Sequence, residues 1–501
     1  VSADSLVLGH LPAIEQIALS PQGTRVAFVR TRDDTRFVAV FDLGQSKLST
    51  AVRVADQKLR DISWIDDNLL LVVTSSTTRA WGVLGGNDEW FTAQILDTRN
   101  SKLRPVEVRV PNLETMNIVD GVPEVRHVKG RTMLLVRGLY ANEDYLRAAM
   151  FWFDPDNGHV SALAKGEFTS EQWLVDDDGT VVANMSYTDG TKRWRLRTRT
   201  SDRLMTTETG EDELGPPELV GLAREPGYAL VLVRDEAKHH WRRLSLGTGK
   251  IGEIDEQTLP LRSALTDRGS SRIVGGLADD GGRYVFFDPE RQRKWNSIVA
   301  AYPGARLKLE SYTDDFSKVV VRVDGADLGY YYEIFDMTAR RGIALGPVYE
   351  GVTQIAPAKA IEYAAKDDFK VPAILTLPRD RPAKDLPLVV YPHGGPEDHD
   401  TVDFDWWREA LAEAGYAVLQ PNFRGSNVNS DIKAAGYGEW GRKMQTDLSD
   451  GVRYLAKQGM IDPKRVCIVG ASYGGYAALA GVTLDPGVYR CAVAVSGISD
   501  L

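Results

Sequence analysis

Gly470-Ala471-Ser472-Tyr473-Gly474 sets a serine two residues from a glycine on each side. An apolar run, Arg465-Val466-Cys467-Ile468-Val469, precedes it, and a small-residue run, Tyr476-Ala477-Ala478-Leu479-Ala480, follows. A strand that turns at once into a helix leaves such a serine exposed at the tip, and the glycines let the backbone bend and pack closely there. Acyl transfer by a hydroxyl nucleophile needs this arrangement, together with donors for the oxyanion and a general base. The first donor is expected to be the N–H of Tyr473, the residue after the serine. The second is expected from His393-Gly394-Gly395-Pro396, where the loop at Gly394 and Gly395 can turn N–H groups toward Ser472.

The base is not apparent. Seven histidines are present and none follows Ser472, whereas sites of this kind run in chain order from Ser to Asp or Glu to His. His393 precedes the serine and suits shaping of the oxyanion loop, and His399 reads as a loop residue. The catalytic Asp and His are therefore expected after Leu501.

Other chemistry is less well supported. Gly436-Tyr437-Gly438-Glu439-Trp440-Gly441 matches a dinucleotide fingerprint literally, but it follows no apolar strand and reads as a loop turn. Arg424, in Asn422-Phe423-Arg424-Gly425-Ser426, is expected to tie its loop down by an ion pair. No histidine or cysteine spacing suits a metal, so neither metal nor cofactor is expected. Cys467 and Cys491 exclude a disulfide-rich scaffold, and each is expected to behave as a small buried hydrophobe in an apolar strand.

The elements that must position these residues change character along the chain. The 501 residues are too many for one core. Residues 15–346, after an N-terminal segment 1–14, alternate short apolar strands with Asp/Gly/Asn turns in a loose repeat of about 40 to 50 residues, the period of a β-propeller. The repeats count to seven blades, the sixth being weak. From 347 to 501 strands alternate with helices, as in an α/β sheet. The fold expected is an all-β propeller followed by an α/β-hydrolase domain that is cut short at its C-terminal end. A net charge of -10 without a basic block argues against nucleic acid. No apolar stretch is long enough to span a membrane. A soluble protein of cytoplasm or periplasm is expected, with its oligomeric state open.

Leu19-Ser20-Pro21-Gln22-Gly23-Thr24-Arg25, His393-Gly394-Gly395-Pro396, Asn422-Phe423-Arg424-Gly425-Ser426 and Gly470-Ala471-Ser472-Tyr473-Gly474-Gly475-Tyr476 together resemble the prolyl oligopeptidase family of serine peptidases. The His-Gly-Gly-Pro form resembles its acylaminoacyl-peptidase-like and dipeptidyl-aminopeptidase-like branch. The resemblance implies that Ser472 is acylated by short peptides in a Ser-His-Asp mechanism, that Tyr473 N–H serves the oxyanion, and that the propeller gates access. No paired-glutamate run for a substrate amino terminus is found, which argues against strict removal of dipeptides. Lasso-peptide isopeptidases share the architecture and are a narrower alternative. A non-catalytic propeller scaffold is the alternative of another class, and an intact serine elbow argues against it.

Overall fold

Short alternating strands separated by Asp/Gly turns build seven consecutive antiparallel sheets. The computed structural model describes residues 7–54, 57–79, 87–142, 145–167, 171–199, 203–213, 215–235, 238–254, 261–278, 282–325, 329–352 and 354–499, the side chains at 142, 145, 235, 238, 239 and 325 excepted. The first sheet comprises Ile14–Leu19, Arg25–Arg32, Thr35–Asp42 and Lys47–Arg53. The others occupy 58–105, 124–165, 171–211, 218–253, 263–286 and 306–347. In each, strands pair in chain order, so the sheets are meanders. Residues of the first strands of sheets 1, 2, 3, 6 and 7 line one shared central cavity. This is a seven-bladed propeller with its first strands innermost.

Blade 6 departs from the all-β reading. It shows three strands, and the helix Pro289–Ala300 follows them. Asp288 caps that helix by accepting from Arg291 N–H, Pro289 opens it, and Glu290 lies in its first turn. Its buried Trp295 and Ile298 pack with Phe286 and Phe316. The Asp-Pro-Glu start is a helix signal that strand periodicity masked.

Among the described residues no strand is shared between blades 1 and 7. Leu19 and Val26 instead pack with Val320 and Ile334, all fully buried, across the seam. Leu19 N–H donates to Ser311 Oγ (2.9 Å), and Asp314 N–H to Pro21 O (3.2 Å). Gly23 permits the contact, since a Cβ there would lie 2.6 Å from Thr313 Cγ2.

The second unit is a six-stranded sheet ordered Ala358–Ala364, Lys370–Thr376, Ala417–Pro421, Leu386–Val390, Ile461–Ala471, Cys491–Val495. The first two pairings are antiparallel and the remaining three parallel. Helix Lys443–Lys457 turns Met444, Leu448, Val452 and Leu455 to the sheet at helical spacing, and helix Tyr473–Leu484 packs beside it. Helix Trp406–Glu413 contributes Ala412 to a separate cluster with Val418 and Ala356.

Among the described residues, blades 1, 6 and 7 bond to the hydrolase unit, and Arg234 of blade 5 lies near its Glu397. Arg306 pairs with Asp403 (2.7 Å), Arg30 with Glu350 (2.7 Å), and Arg262 donates to Asn427 O. Asp324 accepts from Phe404 N–H (3.2 Å), and burial, aided by the neighbouring Asp403, pushes its carboxyl up to about 6. The folded state thus holds a proton that the unfolded chain has already lost, so stability falls as pH rises from about 4 to about 6. Asp324→Asn should flatten that part of the pH–stability curve by about 1–2 kcal/mol after solvent screening, measured as thermal midpoints across the range.

Candidate active site

Ser472 stands between the strand Ile461–Ala471 and the helix Tyr473–Leu484 with φ 55° and ψ −122°. A left-handed φ is costly for a side-chain-bearing residue and persists only where surroundings impose it. They do so through contact. A Cβ on Gly470 would lie 2.4 Å from Gly474 C, one on Gly474 2.2 Å from Pro392 O, and one on Gly475 2.7 Å from Gly497 Cα. Ser472 N–H donates to Val495 O (3.0 Å), which ties the elbow to the neighbouring strand.

The Gly-rich loop lies against the serine. A Cβ on Gly394 would sit 3.5 Å from Ser472 Cβ and 4.0 Å from its Oγ. Gly395 has φ 114° and leads through a cis bond into Pro396. Tyr473 is the first residue of its helix, so its N–H has no acceptor within that helix and carries the positive end of the dipole. Its ring is buried against Phe423.

His393 is 7% exposed and stacks on Phe423 with ring centres 4.5 Å apart. Its Nδ1 lies 2.7 Å from Gly394 O and its Nε2 2.8 Å from Ser426 Oγ. A carbonyl can only accept, so Nδ1–H donates and Nε2 accepts from the serine hydroxyl. Both ring nitrogens are thus engaged away from Ser472. Burial lowers the imidazole to about 4, so it is neutral at physiological pH. His399 lies in the following loop, with Nδ1 4.0 Å from Asp398.

Two loops fix the site jointly. Asp400 N–H donates to Asn422 Oδ1 (2.7 Å), Asn422 Nδ2 returns a bond to Asp400 O (2.9 Å), and Asn427 N–H donates to Asp398 O (2.9 Å). Arg424, 4% exposed, reaches Asp447 (2.8 Å) and Asp367 (2.9 Å) while lying over Phe369. It ties the loop down, as its sequence context implied. The segment 436–441 is a turn, with Gly436 packed on Gly425. Together with Pro396, Met444 and the half-exposed Trp440 it lines a cavity of about 500 Å³ beside the Gly-rich loop. Sequence reading quoted Phe423 and Ser426 in a motif without giving them a role, and it missed Asp447 and this cavity, at which only the clustering of Tyr437 and Trp440 in a Gly-rich stretch hinted.

The cysteines correct an expectation. Cys467 and Cys491 are opposite one another in adjacent parallel strands, with Cα atoms 4.7 Å apart, and form a disulfide. Paired in this way, neither acts as a free, small buried hydrophobe. Among the described residues no cluster suits a metal ion, and no helix is long and apolar enough to cross a membrane.

Residues 402–501 match the family model described as "Prolyl oligopeptidase family", and residues 1–84 match "Lipoprotein LpqB beta-propeller domain". A dipeptidyl aminopeptidase BIII of Pseudoxanthomonas mexicana is 35% identical over 225 residues, 43% of this chain and 32% of the relative. An acylamino-acid-releasing enzyme of Homo sapiens is 31% identical over 149 residues, 29% of this chain and 20% of that protein. The chain thus spans about a third or less of the length of these relatives. A puromycin-hydrolyzing peptidase of Mycobacterium tuberculosis superposes with TM-score 0.63 at 17% identity, covering 100% of this chain and 80% of that one. A puromycin hydrolase gives 0.66 at 16% identity with the same coverage. The structural matches share the fold.

Two measurements test the packing of the site. The His393 ring titrates below its usual range, so its contribution to stability is complete above about 6.5 and is lost as pH falls toward about 4. His393→Gln should shrink that acid limb in thermal melts. Asp447→Ala, which leaves Arg424 buried beside a single carboxylate, should cost about 3–5 kcal/mol by denaturant titration.

Proposed function

From the match of residues 402–501 to the prolyl oligopeptidase family, we propose that the chain is a serine peptidase of that family that hydrolyses short peptides through an acyl-enzyme on Ser472. The observation that carries the reading is the left-handed Ser472 at a helix N-terminus with the Gly394 backbone alongside. A binding scaffold has no use for a strained serine presented in this way.

Ser472 Oγ attacks the acyl carbon, and the developing oxyanion takes hydrogen bonds from Tyr473 N–H and from the loop at Gly394 and Gly395. The helix dipole of Tyr473–Leu484 adds to that stabilisation. The proton from Oγ passes to a histidine oriented by an aspartate, and the same histidine then protonates the leaving amine. We assign both to chain that follows Leu501. His393 is unsuited to the task, because its two nitrogens are committed to Gly394 O and Ser426.

In this reading 15–346 is the propeller unit, 347–501 the hydrolase unit, and the propeller limits which peptides arrive. The relatives' names point to amino-terminal processing, as dipeptidyl aminopeptidase and as acylamino-acid-releasing enzyme. The absence of a paired-glutamate run favours the second kind of substrate end over strict dipeptide removal. The Cys467–Cys491 disulfide favours an oxidising compartment such as the periplasm over the cytoplasm.

A fluorophosphonate probe on the full-length protein should label Ser472 and fail to label Ser472→Ala. The same substitution should lower kcat/KM on a peptide library by at least about a thousandfold. A complete, folded wild-type protein that resists the probe would sink the proposal.

A further inference from the structure

The turn 267–272, between the first two strands of blade 6, reaches far beyond its neighbours. Contacts with blade 5, where Leu222 N–H donates to Ser271 O (2.8 Å), and with blade 7, where Arg268 donates to Tyr312 O (3.0 Å), are those of adjacent blades. The rest are not. His127 N–H of blade 3 donates to Gly269 O (2.8 Å), and Arg126 grips Ser270 O (2.8 Å) and Ser271 Oγ (2.8 Å). Ser270 Oγ donates to Asp177 of blade 4 (2.8 Å), and Arg272 pairs with the same carboxylate (2.5 Å). Arg268 extends the other way to Leu19 O of blade 1 (3.2 Å).

Blades 3 and 6 face each other across a seven-bladed ring, so a turn that bonds both must cross its axis. The crossing is fitted, not loose. Gly269 (φ 78°) lies against the His127 ring, and a Cβ on Gly221 would lie 2.6 Å from Ser271 O. Ser271 is 6% exposed. Backbone bonds to two blades, together with charge-assisted bonds from Arg126 and Arg272, hold the segment at several points. The space left beside it, about 640 Å³, is bounded by blades 1, 2, 3 and 7 and the turn itself.

The end of the ring that is crossed lies away from the hydrolase. The innermost strand of blade 6 begins beside Arg262, which touches Asn427, and runs away from it to the crossing turn. Among the described residues the hydrolase is bonded to blades 1, 6 and 7, which are consecutive around the ring.

We propose that the turn 267–272 is a fixed cross-bar that closes the propeller axis to polypeptide. This rests on the peptidase reading of Ser472. The cross-bar is a specificity element, because it denies the axial route to a flexible chain.

The test blocks the distal mouth. A cysteine introduced as Gln22→Cys, at the exposed turn of blade 1 on the crossed end, can be coupled to a bulky polyethylene glycol maleimide in the full-length protein, with the protein lacking that substitution treated identically to account for any other thiol. Cleavage of a quenched fluorescent peptide library should keep its kcat/KM within about twofold after coupling. A variant in which an Asn-Gly turn replaces 267–272 should gain cleavage of longer peptides, and that gain should vanish on coupling. Should this variant not fold, Asp177→Ala, which releases one end of the bar, is used in the same comparison. A fall of about tenfold or more in the coupled parent, with fluorophosphonate labelling unchanged, would overturn the cross-bar. Absence of labelling in every protein would instead count against the peptidase reading itself.

Discussion

Everything in the hydrolase unit serves one unfavourable dihedral, the positive φ of Ser472. Holding it takes a strand that ends on time, a helix that starts on the next residue, and backbone passing so close on three sides that only glycine fits at 470, 474 and 475. The Val495 carbonyl fixes the serine amide, and the disulfide joins the same two strands lower in the sheet. The Gly-rich loop must in turn be immobilised beside the tip. It is held through His393, whose ring is clamped between Phe423, Ser426 and Gly394. An uncharged imidazole is what such a dry site tolerates.

Features set by neighbouring residues were readable from the chain alone. The elbow is local, since strand, glycine spacing and helix follow one another within one stretch. The blades were readable because each is a meander closed by its own turns, and the faint sixth repeat is the blade that proved to have three strands and a helix. The helix itself was hidden because Asp288-Pro289-Glu290 was weighed less than the surrounding strand pattern.

What escaped depends on distant register. Cys467 and Cys491 become partners only once two parallel strands align them, and no periodicity in either strand reports that alignment. Arg424 could be expected to find an acid, but Asp447 and Asp367 are brought to it from a helix and from a hairpin on either side of it in sequence. The crossing of the propeller by 267–272 is likewise invisible in sequence, where a six-residue turn rich in Arg and Ser resembles any solvated loop. Its meaning lies in which blades supply Arg126 and Asp177.

The seam between blades 1 and 7 has an evolutionary consequence. Because each blade, among the described residues, is one uninterrupted piece of chain, blades 1 and 7 meet through packing around Leu19 and Val320 and two hydrogen bonds and not through an exchanged strand. A duplicated or deleted repeat would therefore rethread no sheet, but it would have to keep the bonds that the turn 267–272 makes across the ring to blades 3 and 4. Blade number is thus held by one crossing turn and not by the threading of any sheet.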